Sequence, residues 1–420
     1  MNPKESRHEL KPNQPTQPGA EGPDFSNSMR LTGGEWLVVG LFTLAMVLFA
    51  PSLWSRVEKF EIEPDYRIPH DLSNDYWLYD RYSRQAVAHY DTVLIGDSVI
   101  WGEYVTRQET LSHYLNEQAG EQRFANLGLD GVDPLALSGL VEHYAKSVSG
   151  KNVILFCNLL WMSSPRRDYQ DPEHFDSSHP RLIPQFSRRI PGYKEEYSYR
   201  IGALVEQRVP FNSWTSHLQA AYYNQTDIPS WTLEHPYENP MQPLTRPLPP
   251  SDNSLRHPPI PWYKSGIAKQ DFPWIDLDTS LQWQAFRRTV ETLQRRENRV
   301  FVLVGPFNEH MLEPDSQQRY QKMKSEIVSW LEQAQVPHLA PPALASELYG
   351  DASHPLAAGY AELARQLYEA WRRRQDFLDP VRDDRGQVRN QSGHLVTLRR
   401  DRPHWFRTCP RSSRTGSRKS

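Results

Sequence analysis

Two cysteines in 420 residues are too few for a disulfide framework, and their settings do not suit a pair. Cys157 lies in an apolar, strand-like run, whereas Cys409 lies in a polar tail. His257 and the other scattered histidines lack metal-ligand spacing, and neither a phosphate loop nor a glycine-rich nucleotide fingerprint occurs. No metal and no cofactor is therefore expected. An excess of one charge sign is missing too: the formal net charge is −3, which leaves no basic footprint for nucleic acid.

Charge is also missing from one long run. Trp36 to Trp54 carries no ionisable side chain and has about the length of a bilayer-spanning helix, with tryptophans at both ends as interfacial anchors. A polar stretch rich in Pro, Asn and Gln precedes it, and no small-x-small cleavage site follows. The expectation is an uncleaved signal anchor over 36–54 behind a disordered segment over 1–35. Flanking charges, Arg30 on one side against Arg56, Lys59 and Arg67 on the other, favour a cytoplasmic C-terminal domain, although long domains translocate regardless of such counts.

What the chain has in plenty is proline, 35 residues, and tryptophan, 13. Such usage implies long ordered loops with aromatic surface, a composition met in carbohydrate-handling proteins. Residues 56–90 read as a polar, Tyr-rich approach. Thr92 to Ile95, Phe124 to Gly128 and Lys151 to Asn158 read as strands, the last apolar enough for burial on both faces. Thr106-Arg-Gln-Glu109 fits a capping box ahead of a helical stripe, Leu111, Tyr114, Leu115 and Ala119. Asp133-Pro134 should cap a second helix that Gly150 ends. Strands alternating with helices at this spacing give βαβ units, hence an α/β fold with a parallel sheet. From about 161 to 276 the periodicity stops, and an insertion folding over the strand ends is expected, with short helices such as one near 201–207. Regular structure returns with a helix from Asp278-Thr279, a strand over 300–304, a further helix, the segment 336–339 and a last helix from Pro355. Residues 380–420, with eleven Lys/Arg against three Asp, form an expected basic disordered tail.

Ser98, in Gly96-Asp97-Ser98 at the end of the first strand, stands where open α/β sheets place their chemistry. A serine needs a base, and the base needs a group that fixes its tautomer. Asp351 and His354 share one loop downstream and can serve as orienting carboxylate and base. The Ser98 N–H, the Gly131 N–H and the Asn158 amide, each after a different strand, can form an oxyanion hole. Asp97, Asn308 and His310 stand at strand ends as candidate substrate contacts. Taken alone, Asp97-Ser98 also reads as a turn and Asp351-x-x-His354 as a helix cap.

This ordered set resembles the SGNH (GDS-motif) hydrolase superfamily over residues 91–160 and 298–372. Ser98 matches the nucleophile block, Gly131 the second-block glycine, Asn158 the third-block asparagine and Asp351-x-x-His354-Pro-x-Ala-Ala-Gly359-Tyr the last block. In the third block the family's Gly-x-Asn-Asp is replaced by Phe156-Cys-Asn158-Leu159. The resemblance implies a three-layer α/β/α, flavodoxin-like domain over 85–375, with Ser98, His354 and Asp351 catalytic. Membrane-anchored members with long insertions are similar in architecture to cell-surface polysaccharide O-acetylation and teichoic-acid D-alanylation proteins. The expected activity is ester hydrolysis or O-acyl transfer through an acyl-serine on an acylated surface polysaccharide, by a single-pass membrane protein with an extracytoplasmic domain and a candidate membrane acyl-transfer partner. The alternatives are a non-catalytic SGNH-fold protein that binds glycan or assembles with such a partner, and a lipase-type esterase.

Overall fold

The structure is a computed structural model that describes residues 31–378 and a short antiparallel strand pair, 381–382 with 388–389. Residues 1–30, Cys409 and nearly all of the expected basic tail lie outside the described residues. The chain divides after Ala50 into two units. Helix α1, Gly33–Val57, is 25 residues long with a mean hydropathy of 2.1 over its most apolar window, and is the one described helix long and apolar enough to cross a membrane. Its side chains up to Ala50 are almost all exposed.

The second unit is built on a five-stranded parallel sheet: β1 (Thr92–Gly96), β2 (Phe124–Gly128), β3 (Asn152–Cys157), β4 (Arg299–Val304) and β5 (His338–Leu339), in the order 2-1-3-4-5. Val93 lies in register with Ala125 and Val153, and Val153 with Val300. Successive strand residues face opposite sides, as pleated strands require. Val93, Ile95, Val153, Leu155, Val302 and Val304 enter one apolar cluster. Leu94, Ile154, Phe156, Phe301 and Leu303 enter another. The first cluster is closed by α2 (Tyr76–His89), α5 (Pro134–Tyr144), α9 (Leu281–Arg295) and α10 (Pro314–Gln333), the second by α4 (Leu111–Ala119) and α11 (Ala357–Leu378). Each such Val, Leu or Ile taken fully out of water contributes about 1.5–3 kcal/mol.

Several local expectations shift. The stretch 56–90 contains a regular helix, α2, which buries Tyr76, Tyr79, Tyr82 and Ala86 and is capped by the Asp75 carboxylate accepting from Leu78 N–H. The capping box at Thr106–Glu109 is present but closes a single 3-10 turn, and Thr110 caps α4. α5 stops at Tyr144, well before Gly150, whose N–H donates to the Arg296 carbonyl. Ser280, two residues after the expected start, caps α9, and the last helix opens at Ala357.

The insertion contains α6 (Tyr197–Arg208), α7 (Pro210–Tyr222) and α8 (Ile228–Glu234). It is tied to the sheet edge through buried polar bonds. Arg67, fully buried, donates to the Asp252 and Ser254 carbonyls on one side and to the Gly102 and Val105 carbonyls on the other. Its guanidinium also lies 4.1 Å over the Trp101 ring.

Candidate active site

β1 delivers Gly96-Asp97-Ser98 to the C-terminal edge of the sheet, and a one-turn helix, α3 (Ser98–Trp101), opens at the serine itself. Asp97 caps it by accepting from Val99 N–H at 3.0 Å. The turn is clamped from three sides. Asn126 donates to the Ile100 carbonyl at 2.8 Å, Tyr360 donates to the Val99 carbonyl at 2.6 Å, and Trp101 donates to the Ile68 carbonyl at 2.8 Å. β2 can lie this close because it ends in glycine: a Cβ at Gly128 would meet Trp101 N at 2.3 Å.

The loop ahead of α11 brings the other two groups. His354 Nε2 lies 2.8 Å from Ser98 Oγ, and His354 Nδ1 lies 2.8 Å from Asp351 Oδ2. Asp351 Oδ1 also accepts from the Ser353 and His354 N–H groups, which fixes the carboxylate. Burial pushes the His354 imidazole down, but the charge and hydrogen bond of Asp351, backed by Asp97 and Glu103, outweigh it and hold it at about 9. Burial likewise pushes Asp351 up, and the imidazolium with the two N–H donors brings it down to about 2. Ser98 as a residue is buried, with 8% of its surface exposed. Serine hydroxyl, imidazole and carboxylate thus stand in sequence at hydrogen-bond spacing, an arrangement that can support nucleophilic acyl transfer.

The remaining candidates divide. Asn158 is at the site: its Nδ2 donates to Asp97 Oδ2 at 2.7 Å, while Trp161 Nε1 donates to the same oxygen at 2.9 Å. Asp97 is buried and its three bonds all go to the protein, so it positions its neighbours and does not present itself as a substrate contact. Asn308 is fully buried as well. Its side chain donates to the Asp351 carbonyl and its N–H to the Ala352 carbonyl, which makes it the support of the dyad loop. His310 is not brought to Ser98: it bonds the Leu344 carbonyl and lines a separate cavity of about 460 Å³ with Trp262 and Tyr263. Gly131 adopts φ 68° in the turn after β2, where a Cβ would meet Ser178 Oγ of the insertion at 2.7 Å.

Residues that sequence patterns did not single out complete the site. The Tyr104 ring lies 5.5 Å from that of His354 and 4.9 Å, stacked, from that of His257. A Cβ at Gly350 would meet the Tyr104 ring at 2.4 Å, so the glycine before Asp351 admits the tyrosine. Glu103 N–H donates to the Ser98 carbonyl at 3.2 Å, and its carboxylate meets His257 Nε2 at 3.0 Å. Burial and the neighbouring Asp130 raise Glu103 to about 7. The available signal was the spacing: Glu103 and Tyr104 lie five and six residues after the serine, just beyond the turn it opens.

Among the described residues, no group of three or more His, Cys, Asp or Glu side chains is placed to hold a metal ion. Comparison of the chain with protein-family models gives no match, and no curated protein matches it.

Proposed function

We propose that the chain is a membrane-anchored, serine-dependent ester hydrolase or O-acyltransferase of the SGNH type, with a three-layer α/β/α domain and no cofactor. The observation that carries this reading is the relay Ser98 Oγ–His354 Nε2, 2.8 Å, with His354 Nδ1 on Asp351 at 2.8 Å. Ser98 Oγ attacks the acyl carbon while His354 Nε2 takes its proton, and Asp351 stabilises the imidazolium. The tetrahedral oxyanion is met by the Ser98 N–H, the second Asn158 Nδ2 proton and the Gly131 N–H. Collapse breaks the ester C–O bond, and the departing alkoxide takes the proton from His354. Water or a sugar hydroxyl then attacks acyl-Ser98 with His354 again as base, giving an acid in one case and a new ester in the other.

The acylated carbohydrate substrate, the outward-facing domain and a membrane acyl-transfer partner belong to the same proposal. The apolar helix α1 supports the membrane anchor, and the aromatic rings Tyr104, His257 and Trp161 around the site support a carbohydrate substrate, from which the outward orientation follows. A non-catalytic binding role is favoured by one observation, the Asn158 amide already engaged by Asp97. Labelling of the full chain with a fluorophosphonate separates the two. An active serine gives labelling that Ser98→Ala and His354→Ala abolish, whereas folded wild-type protein that stays unlabelled excludes the hydrolase.

A further inference from the structure

On the far side of α2 from β1, the second unit encloses a cavity of about 800 Å³ that plays no part in the acyl chemistry. Its walls are Pro51, Ser52 and Ser55 of the last turns of α1, the Arg81/Arg84 face of α2, the end of α5 and the junction of α6 with α7. Four cations line it, Arg81, Arg84, Lys146 and Arg208, against two carboxylates, Asp80 and Glu206. The carboxylates are already matched: Asp80 lies 2.6 Å from Arg84, and Glu206 lies 2.9 Å from Arg181. Arg81 is paired with Glu58 just outside the cavity. Lys146 and Arg208 remain, both exposed, with no ion pair or side-chain hydrogen bond among the described residues. His143 on the same wall is lowered first by burial; Glu142 outside the cavity opposes the shift, and Lys146 and Arg208, with Arg288 outside the cavity, add to it. The hydroxyls of Ser52, Ser55 and Ser147 share the lining, with Ser55 Oγ donating to the Ser52 carbonyl and Ser147 Oγ bonded to Ser83 Oγ.

We propose that this cavity binds a phosphodiester anion and that the anion is the headgroup of a bilayer lipid. The two cations give this wall a net positive charge that an anionic phosphodiester reduces and that an uncharged or zwitterionic headgroup leaves unchanged. The lipid source follows from chain connectivity. Pro51 and Ser52 lie in the last turn of the apolar run that ends at Trp54, and Ser55 directly follows it. A juxtamembrane cation contributes on the order of a five-fold change in affinity for anionic lipid, so two together are worth more than ten-fold.

The test uses the full chain in detergent micelles and counts bound lipid by native mass spectrometry. The probes are dioleoyl-phosphatidylglycerol, dioleoyl-phosphatidylcholine and glycerol 1-phosphate. The expected result is one phosphatidylglycerol held at least ten-fold tighter than phosphatidylcholine, a preference lost in Lys146→Ala/Arg208→Ala and kept in Lys194→Ala/Lys264→Ala, which removes the same charge from exposed positions outside the cavity. Equal binding of the two lipids, or equal loss in both double variants, overturns the proposal. Glycerol 1-phosphate that binds as well as the lipid assigns the cavity to a soluble phosphate and overturns the lipid source.

Discussion

Two histidines in this molecule have nearly the same electrostatic surroundings, and the proposed function gives them opposite uses. His354 lies 2.8 Å from Asp351, and His217 on α7 lies 2.6 Å from Asp75. In both, burial opposes the charge, nearby carboxylates overcome it, and the imidazole is held at about 9. The difference lies in the second ring nitrogen. His354 Nε2 faces the hydroxyl of Ser98, a residue that keeps 8% of its surface exposed. His217 Nε2 faces Glu58 at 2.8 Å, in a largely buried cluster with Arg81 and Tyr222 that ties the residue following α1 to α7. A carboxylate–imidazole pair is therefore no signature of catalysis by itself. A nucleophile on the other nitrogen, with access for substrate, makes the difference.

The comparison breaks most sharply by substitution. Ser98→Ala and His354→Ala should each lower ester hydrolysis by about 10³-fold or more, measured as p-nitrophenyl acetate turnover by the full chain, with little change in unfolding midpoint. His217→Ala should do the reverse. It leaves Asp75 and Glu58 buried around a missing cation and should cost about 3–5 kcal/mol in denaturant unfolding, while the folded fraction still reacts at Ser98.

pH sharpens the contrast. His354 must be neutral to act as base, so kcat/KM should climb with pH towards a midpoint near 9. Both imidazoles are raised in the folded state, so the stability they contribute is complete below their unfolded value and is lost as pH rises through about 9. Activity and stability should thus move in opposite directions across the same window. The stability slope in that window should shrink by about one proton in His217→Ala. Asp351 acts at the other end: its lowered value adds stability that is present above the usual carboxylate range and lost as pH falls through about 2.

Smaller effects test the supports. Asn308→Ala removes the side-chain bond to the Asp351 carbonyl and keeps the backbone bond to the Ala352 carbonyl, and a fall of about ten-fold in kcat with unchanged KM is expected. Tyr104→Phe keeps the ring against Gly350 and His354 and should cost no more than about three-fold.

The parts legible in the sequence are those with a period or a rigid local grammar. Buried strands such as Asn152–Cys157 carry unbroken apolar runs, and Ser98, Asp351 and His354 sit at the joints those runs define. Helix α2 escaped because Tyr76, Tyr79, Tyr82, Arg81 and Ser83, which read as polar until tertiary partners bury them, make up most of its buried residues. The insertion escaped for a related reason. Its helices are short, Pro210 begins α7, and packing there relies on aromatic contacts such as Phe175–Tyr193, at 4.6 Å, in place of an apolar stripe. Asn308 and Asp97 were legible as strand-end polar residues but not as buried ones, since spacing does not tell a substrate contact from a support.

The central claim is that Ser98 is the atom acylated. The most direct measurement is peptide mapping by mass spectrometry of the full chain quenched in acid during turnover of p-nitrophenyl acetate, beside Ser98→Ala and His217→Ala. An acetyl group on the peptide containing Ser98, present in wild type and in folded His217→Ala and absent in Ser98→Ala, is the predicted result. Ester turnover with the acetyl group on another residue, or turnover that survives in Ser98→Ala, would contradict it.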